Sequence, residues 1–466
     1  MPTPSAGPTP TVLITGAASG IGRSAAIRFA ASGWRCVLVD RNGEALESLQ
    51  RELRGVHEVR RIDLTDPAQI RSLTELADPI DAVVNNAGMS DTSGTPLCEQ
   101  APERQAMLMA LNLEAPAAIV TALEPKFAPR ARIVNIASGA GLRAIPSRGL
   151  YSATKAGLIA QSRALARARP ELVVTVLCPG FVRPELVDGL IAAGRLDPRR
   201  AVAKTPLGRM AEPAEMAEAM CFLASPDAAP LHGQVISLCG GSSIYGSSQA
   251  CEPATSPPLP LDAALSMTVT GDSGGAWSGW LAGDGVSIGC ESTREGPTVG
   301  QGTSTPATST PATSAPGTST RGMNSYPAVV DVSALGAARP TASGPPGGRS
   351  GNIVVAVHEA ARRFAQWHSR DASLTVLLPA SVEVAGTAGR ADDGFQRGDW
   401  QNAGDAAAAR MLVATLACEL APRALRVNAI EVGAGMTPER IRPLLHYVAG
   451  ARAQYLTGQT LQATAR

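Results

Sequence analysis

The chain has 466 residues, of which 44% are hydrophobic and only 3% aromatic, and its 41 basic side chains nearly balance 40 acidic ones. This length predicts two to four domains, each able to bury a core. The balanced charge, with no basic block, gives no reason to expect nucleic acid or an anionic membrane as a partner.

Eight cysteines and five histidines are scattered along the chain without metal-ligand or redox spacing. This pattern predicts reduced thiols, a cytoplasmic location and no metal site. Residues 1–10 are rich in Pro, Thr and Ser and contain no apolar core, so we expect no signal peptide there. No uninterrupted apolar run reaches membrane-spanning length, and the abundance of Ala, Gly and Pro is typical of GC-rich bacterial genes.

The sequence TGAASGIG at residues 15–22 predicts a glycine turn between a strand and a helix. Gly16 lets the chain turn sharply, Gly20 lets the backbone come close to a ligand, and Gly22 lets the helix pack closely on the strand. The helix N-terminus then offers unpaired N–H groups and a positive dipole end to a pyrophosphate.

The second predicted strand, residues 35–39, is followed by Asp40. An acid at this distance from the first glycine can bind the adenosine ribose hydroxyls, which predicts NAD as the cofactor. A carboxylate there would repel the 2′-phosphate of NADP, although the neighbouring Arg41 keeps NADP as an alternative.

Predicted strands and helices alternate through the first half of the chain. This order predicts a parallel, doubly wound α/β sheet, the Rossmann fold. Ligands of such sheets lie beyond the carboxyl ends of the strands. Polar residues follow the predicted strands at that edge, namely Asp40, Asp63, Asn86 and Ser138.

Tyr151 and Lys155 lie one turn apart at the start of a predicted helix, so their side chains share one face. A free tyrosine titrates near pH ~10 and is a poor proton donor or acceptor at pH 7. A neighbouring ammonium favours the phenolate, so we expect Lys155 to lower the pKa of Tyr151. Ser138 could hold a substrate oxygen across from it.

Taken together, these motifs resemble a classical short-chain dehydrogenase/reductase over residues 11 to about 245. The resemblance is carried by TGAASGIG, Asp40-Arg41, Asp63-Leu64, NNAG at 85–88, Asn112, Ser138, YSATK at 151–155, PGFV at 179–182, GRMAEPAEMA at 208–217 and HGQVISLCGG at 232–241. It implies a Rossmann-fold oxidoreductase that transfers a hydride between NAD(H) and a secondary alcohol or ketone.

The resemblance also implies a role for each residue of the catalytic set. Tyr151 would be the general acid/base, and Lys155 would bind the nicotinamide ribose and lower the tyrosine pKa. Ser138 would orient the substrate oxygen, and Asn112 would hold a water in a proton relay.

For the cofactor, the resemblance implies an adenine bordered by Asp63 and Leu64 and a carboxamide covered by residues 179–182. Arg183 and Pro184 stand where the family often has Thr, so one cofactor hydrogen bond is expected to differ. The expected cofactor residues are Gly16, Ser19, Gly20, Ile21, Gly22, Asp40, Arg41, Asp63, Leu64, Asn86, Ala87, Gly88, Tyr151, Lys155, Pro179, Gly180 and Val182.

Composition divides the chain into five segments. The predicted segments are a disordered N-terminus (1–10), a catalytic Rossmann domain (11–248), an irregular or decayed start of a repeat (249–300), a Thr/Ser/Pro/Ala-rich linker (301–324) and a degenerate second domain (325–466). MTVTGDSGGAW at 267–277 faintly resembles the first glycine turn, but its glycines are spaced differently. Common ancestry stays open there, and we do not expect it to bind a cofactor.

The second half repeats the strand and helix pattern of the first at a period of about 240 residues. Its tail TGQTL matches HGQVI of the first half. By this alignment Asn402 stands at the tyrosine position and Ala406 at the lysine position. Neither side chain can support the proton chemistry, so the repeat is expected to be non-catalytic.

We therefore expect an oxidoreductase acting on a small-molecule alcohol or ketone, with a second half kept for packing. Family members commonly pair through two helices, so residues 103–126 and 151–167 are expected to pack on 352–366 and 401–420 in an intramolecular pseudo-dimer, with or without further self-association. The alternative is a regulatory or scaffolding protein that binds dinucleotide without turnover.

Overall fold

A computed structural model describes residues 9–90, 95–145, 148–183, 191, 197–272, 275–281, 287–290, 325–337, 353–380 and 399–465. The predicted N-terminal tail lies almost wholly outside these residues, and so does the linker at 301–324. Their assignments therefore stay predictions.

The first half forms a seven-stranded sheet in which all paired strands are parallel, in the order β3-β2-β1-β4-β5-β6-β7. This topology confirms the predicted doubly wound Rossmann fold. The strands are β1 Thr11–Thr15, β2 Arg35–Asp40, β3 Glu58–Arg61, β4 Ile80–Asn85, β5 Phe127–Ile136, β6 Val173–Pro179 and β7 Val235–Leu238.

Helices cover both faces of this sheet because its central strands are apolar on both sides. Val12 and Ile14 of β1 pack into one core layer, whereas Leu13 packs into the other. The helices are α1 Gly20–Ala31, α2 Gly43–Glu52, α3 Pro67–Arg71, α4 Pro102–Met109, α5 Ala115–Leu123, α6 Tyr151–Ala168, α7 Pro198–Val202 and α8 Pro213–Leu223.

The stretch Pro102–Lys126 is long and apolar enough to cross a membrane, judged by length and composition alone. It was expected as one helix, but it consists of α4, a π-helical turn at Ala110–Glu114, α5 and a final 3₁₀ turn. Ile119 and Leu123 are buried in a core layer of the first sheet. A core helix of a soluble protein passes the same test of length and composition.

The second half forms a six-stranded parallel sheet in the order β13-β12-β11-β10-β8-β9. Among the described residues, this is the order of the first sheet without a counterpart of β3, and residues 291–324, where that counterpart would fall, lie outside them. The strands are β8 Ala264–Thr270, β9 Ser287–Cys290, β10 Ser325–Asp331, β11 Ala372–Pro379, β12 Leu425–Val432 and β13 Thr460–Ala463. Its helices are α9 Ser278–Leu281, α10 Ser333–Ala337, α11 Ile353–Trp367, α12 Asp399–Leu420 and α13 Pro438–Ala449.

Two strands of this sheet, β8 and β9, come from residues 249–300, which were predicted to be irregular or the decayed start of a repeat. Met267 and Val269 of β8 are buried in the core, and β8 pairs with β10 along its whole length. This strand was missed although Leu265, Met267 and Val269 alternate with polar residues, which is the pattern of a half-buried strand.

The two halves share one hydrophobic core through α8 and α13. Pro213 begins α8 and Pro438 begins α13, and Phe222 and Tyr447 each stand nine residues further along. These two rings stack with centroids 4.0 Å apart and planes 5° apart. Equivalent positions of the two halves therefore face each other, as at a twofold axis.

Polar contacts join the same surfaces. Glu218 of α8 binds both Arg28 of α1 and Arg452 of the second half. At the sheet edges, the Gln462 amide donates to Gln234 Oε1 (2.8 Å), and the Gln234 side chain donates back to the Gln462 carbonyl.

The predicted seam between the helices at 103–126 and 151–167 and those of the second half was wrong. Among the described residues, α6 and α12 line a cleft of about 860 Å³, with Arg163 and Arg167 on one wall and Arg410 on the other. The halves join through α8 because residues 215–223 of this helix are all buried. A helix that is apolar nearly all round needs cover on more than one face.

Candidate active site

The glycine turn is tied to the loop that follows β4. Thr15 Oγ1 accepts hydrogen bonds from the amides of Asn86 and Ala87, both at 3.0 Å. Asn86 Nδ2 donates to the Thr15 carbonyl at 3.0 Å. A Cβ on Gly22 would lie 2.6 Å from Asn86 Nδ2 and would also run into the Gly16 carbonyl. Gly22 therefore permits the close approach of α1 to this loop.

A cleft of about 510 Å³ opens beside this turn, at the carboxyl ends of β1, β2 and β4. It brings together most of the expected cofactor residues. Its lining contains Gly16, Ser19, Gly20, Ile21, Asp40, Arg41, Asp63, Leu64, Asn86, Ala87 and Gly88. Its volume, its glycine turn and its acidic residue at the end of β2 fit an adenine dinucleotide.

The same cleft contains residues that the sequence did not single out. Met89, Met107 and Leu111 line it, together with Ile62 and Thr65. Met107 and Leu111 belong to the helical stretch after β4, whose apolar spacing indicated a core face. That spacing does not distinguish a methionine that packs in the core from a methionine that lines a ligand cleft.

Asp40 lies at the end of β2, against the glycine turn. Its carboxylate accepts hydrogen bonds from the Ala18 amide (3.3 Å) and the Asn42 amide (3.0 Å). Across the cleft, the hydroxyl and amide of Thr65 hold the pKa of the Asp63 carboxyl below its usual range, with a further contribution from Arg41. The Asp63 carboxyl is therefore anionic at neutral pH.

Ser138 follows β5 and faces Tyr151 at the start of α6. The Ser138 side chain lies near enough to the Tyr151 hydroxyl to favour the phenolate. Burial is the larger effect, however, and it raises the pKa of Tyr151 above its ordinary value. The expected lowering by Lys155 is not present, because Lys155 Nζ lies 5.9 Å from the Tyr151 ring centre and is itself desolvated.

Lys155 is buried, and its Nζ donates to the Ile136 carbonyl at 2.8 Å. Burial lowers the pKa of this ammonium to about 8. A Cβ placed on Gly88 would lie 3.1 Å from Lys155 Nζ and 3.2 Å from Asn112 Oδ1. The loop after β4 therefore runs directly beside both side chains.

Asn112 lies in the π-helical turn between α4 and α5 and is fully buried. Its Oδ1 accepts from the Met89 amide (2.9 Å), and its Nδ2 donates to the Met89 carbonyl (2.8 Å) and to Thr154 Oγ1 (3.1 Å). Thr154 was missed, although it belongs to the YSATK motif. Widened helical turns of this kind are frequent at functional sites.

The segment after β6 continues the site. The Gly180 amide donates to the Leu238 carbonyl at 2.9 Å, and Val182 forms an isolated bridge with Ala211. Arg183, which stands where a Thr was expected, lies 3.5 Å from Glu212. Pro184 lies outside the described residues.

In the second half, the turn after β8 stands where the glycine turn stands in the first half, and the amides that follow it are bound by a carboxylate of the same turn. Asp272 follows β8 and accepts hydrogen bonds from the amides of Trp277 (3.0 Å) and Ser278 (2.8 Å). A phosphate would need these N–H groups. Asn402 and Ala406, the counterparts of Tyr151 and Lys155 by spacing, both lie in α12.

Comparison with known proteins places the first half in a family. The family model described as enoyl-(acyl carrier protein) reductase matches residues 16–243. A putative ketoacyl reductase of granaticin polyketide synthase from Streptomyces violaceoruber is 33% identical over 264 residues, covering 52% of this chain and 96% of the relative. The 3-oxoacyl-[acyl-carrier-protein] reductase of Thermotoga maritima is 32% identical over 240 residues, covering 49% and 96%.

The chain belongs to the short-chain dehydrogenase/reductase family through its first half. An uncharacterised short-chain type dehydrogenase/reductase of Sinorhizobium fredii is 36% identical over 240 residues, which is 50% of this chain and 44% of that protein. The chain thus spans less than half of that longer relative. Members of the family are oxidoreductases that bind nicotinamide dinucleotides and act on small molecules.

Burial of Lys155 should make stability depend on pH in a specific window. Between about pH 8 and pH 10.5, the folded chain has released this proton and the unfolded chain still holds it. The free energy of unfolding should therefore rise with pH there, by at most about 1.4 kcal/mol per pH unit from this group. The buried thiols of Cys36 and Cys178, whose pKa values are raised to about 12, act in the opposite direction over much of this window, so the test is a difference between variants. Measured by urea unfolding, the slope of the unfolding free energy against pH should be more positive in wild type and in exposed Lys204→Met than in Lys155→Met. Equal slopes in all three would contradict the prediction.

Proposed function

We propose that the first half is an NAD-dependent short-chain dehydrogenase/reductase that interconverts a secondary alcohol and its ketone through Ser138, Tyr151, Lys155 and Asn112. The proposal is carried by one observation. The loop at Gly88, which lines the cleft beside the glycine turn, runs directly beside both Lys155 and Asn112. This contact supports a single site that contains both the cofactor cleft and the proton-transferring side chains.

Each side chain has one task in this proposal. The dinucleotide supplies or accepts the hydride. Ser138 donates a hydrogen bond to the substrate oxygen, and Tyr151 gives that oxygen a proton during reduction or takes it during oxidation. Lys155 holds the nicotinamide ribose and provides positive charge next to the phenol. Asn112 fixes the neighbouring loop and holds a water that links Lys155 to solvent.

Asp40 supports NAD over NADP. Its carboxylate lies at the edge of the cofactor cleft and is fixed by two backbone amides. A ribose 2′-hydroxyl can donate to it, whereas a 2′-phosphate would place two negative charges together. Arg41 lines the same cleft, and its positive charge would attract a 2′-phosphate. The proposed preference for NAD therefore requires the negative charge of Asp40 to outweigh the positive charge of Arg41.

A ketoacyl thioester is the first substrate class to test, because two relatives carry ketoacyl or 3-oxoacyl reductase in their names. A screen would follow NADH oxidation with 3-ketoacyl thioesters, and NAD reduction with sugar alcohols, hydroxysteroids and aromatic diols. Turnover on any class supports the proposal. Tight NAD binding without turnover on all of them would favour a non-catalytic dinucleotide-binding protein.

For the second half we propose a non-catalytic domain that packs on the first as an intramolecular pseudo-dimer. The stacked Phe222 and Tyr447, at matching positions of α8 and α13, support this arrangement. The carboxylate of Asp272 at the glycine turn supports the absence of a second cofactor site. Balanced charge and dispersed cysteines support a cytoplasmic location.

Tyr151→Phe should lower kcat at least ~10²-fold, the scale expected for loss of a general acid/base. The dissociation constant for NAD, measured by calorimetry, should change little because the ring remains in place. The matched control is Tyr245→Phe, whose hydroxyl binds the Gln249 carbonyl at 2.9 Å. Near-normal turnover in Tyr151→Phe would refute the assignment.

Asp40→Ala should weaken NAD about tenfold, since a charged acceptor is lost, and should weaken NADP less or improve it. The control is Glu44→Ala, which removes an exposed acid from the following helix. Titration calorimetry with both cofactors measures the ratio. An equal loss of affinity for NAD and NADP would show that Asp40 does not bind the ribose.

A further inference from the structure

The loop at residues 181–183, next to the expected nicotinamide position, is paired with Ala211 through two backbone hydrogen bonds. The Ala211 amide donates to the Phe181 carbonyl at 2.9 Å, and the Arg183 amide donates to the Ala211 carbonyl at 2.8 Å. The position of Ala211 therefore fixes the path of this loop.

The segment leading to Ala211 is held by a tyrosine of the second half. The hydroxyl of Tyr455 donates to the Arg209 carbonyl at 3.0 Å, and the Arg209 guanidinium lies 4.9 Å from the Tyr455 ring centre. The Tyr455 carbonyl accepts from the Gly240 amide at 3.0 Å, and the Gly240 carbonyl accepts from the Leu207 amide at 3.2 Å. Tyr455 is fully buried, so these contacts lie out of water.

Arg209 is rigid enough to transmit this constraint. Its guanidinium forms two hydrogen bonds of 2.7 Å with the carboxylate of Glu215, which is buried in α8. A bidentate pair of this kind fixes both side chains in one geometry. The segment around Arg209 is therefore bound by Glu215 of α8 and by Tyr455 of the second half.

The segment that connects the two halves also forms hydrogen bonds with the stretch that leads to Ala211. Cys251 and Ala254 donate their amides to the Ala203 and Gly208 carbonyls, both at 2.8 Å. Gly208 has φ +63°, and a Cβ there would run into the Glu252 carbonyl. Only glycine suits this left-handed position at such close range.

The far end of this connecting segment is fixed on the second half. Gln454 exchanges two hydrogen bonds with the backbone of Leu259, at 3.1 and 2.8 Å. Gln454 directly precedes Tyr455, so one turn of the second half holds both the connecting segment and the segment that leads to Ala211.

We propose that the second half positions the nicotinamide and substrate loop of the first half, with Tyr455 as the positioning residue. The proposal rests on the proposed oxidoreductase function. The second domain thus does more than cover an apolar surface. Its Tyr455 donates a hydrogen bond to the Arg209 carbonyl, two residues before Ala211, which is the backbone partner of the loop. Loss of that bond should loosen residues 181–183 without moving Ser138, Tyr151 or Lys155.

The test compares Tyr455→Phe with Tyr447→Phe in the full-length chain. Both remove one hydroxyl from a buried tyrosine at the junction of the halves, but Tyr447 stacks on Phe222 and not on the loop segment. Steady-state kinetics measure kcat and KM for cofactor and substrate. Hydrogen exchange measures the amides of Arg183 and Ala211 directly, whether or not a substrate is known.

In Tyr455→Phe, KM for cofactor and substrate should rise about fivefold, the effect of one hydrogen bond. Exchange at Arg183 and Ala211 should speed up by a similar factor, while Tyr447→Phe leaves both readouts near wild type. Gln454→Ala, which frees the connecting segment, should act in the same direction.

Unchanged exchange at Arg183 and Ala211 in Tyr455→Phe would overturn the proposal, and so would equal changes in the two tyrosine variants. Faster exchange in Tyr455→Phe alone, in a protein that turns over no substrate, would uphold the positioning role and refute the proposed oxidoreductase activity instead.

Discussion

The close approach of α1 to the loop after β4 is the constraint on which the site depends. Gly22 leaves room for the Asn86 side chain, and Thr15 Oγ1 accepts two amides of that loop. The glycine turn and the loop at Gly88 are thereby fixed together, and Gly88 in turn runs beside Lys155 and Asn112. A larger residue at position 22 would separate the phosphate-binding turn from the catalytic side.

The same helix links the site to the rest of the chain. Arg28 of α1 binds Glu218 of α8, which also binds Arg452 of the second half. Helix α1, α8 and the second domain therefore form one packed body. In this arrangement the second half packs on α8, and its Asp272 accepts hydrogen bonds from amides of its own turn.

The parallel doubly wound sheet, the glycine turn and the residues gathered at the sheet edge followed from local patterns, because a parallel sheet forces its strand ends to one side. The junction of the halves did not. Apolar spacing on α5, α6 and α12 indicated surfaces to be covered, but it could not say what covers them. The burial of residues 215–223 of α8 was visible only as a nearly all-round apolar sequence. The pKa of Tyr151 also depended on burial, which no spacing of Tyr and Lys reveals.

The central claim is that one half binds the dinucleotide and the other supports it. The stoichiometry of NAD binding to the full-length chain, measured by titration calorimetry, tests this most directly. The account predicts one NAD per chain, because Asp272 occupies the amides of the second turn. Binding of two NAD per chain would contradict the account. Binding of one NAD to a Gly22→Leu variant, in which a side chain fills the space beside Asn86, would also contradict it.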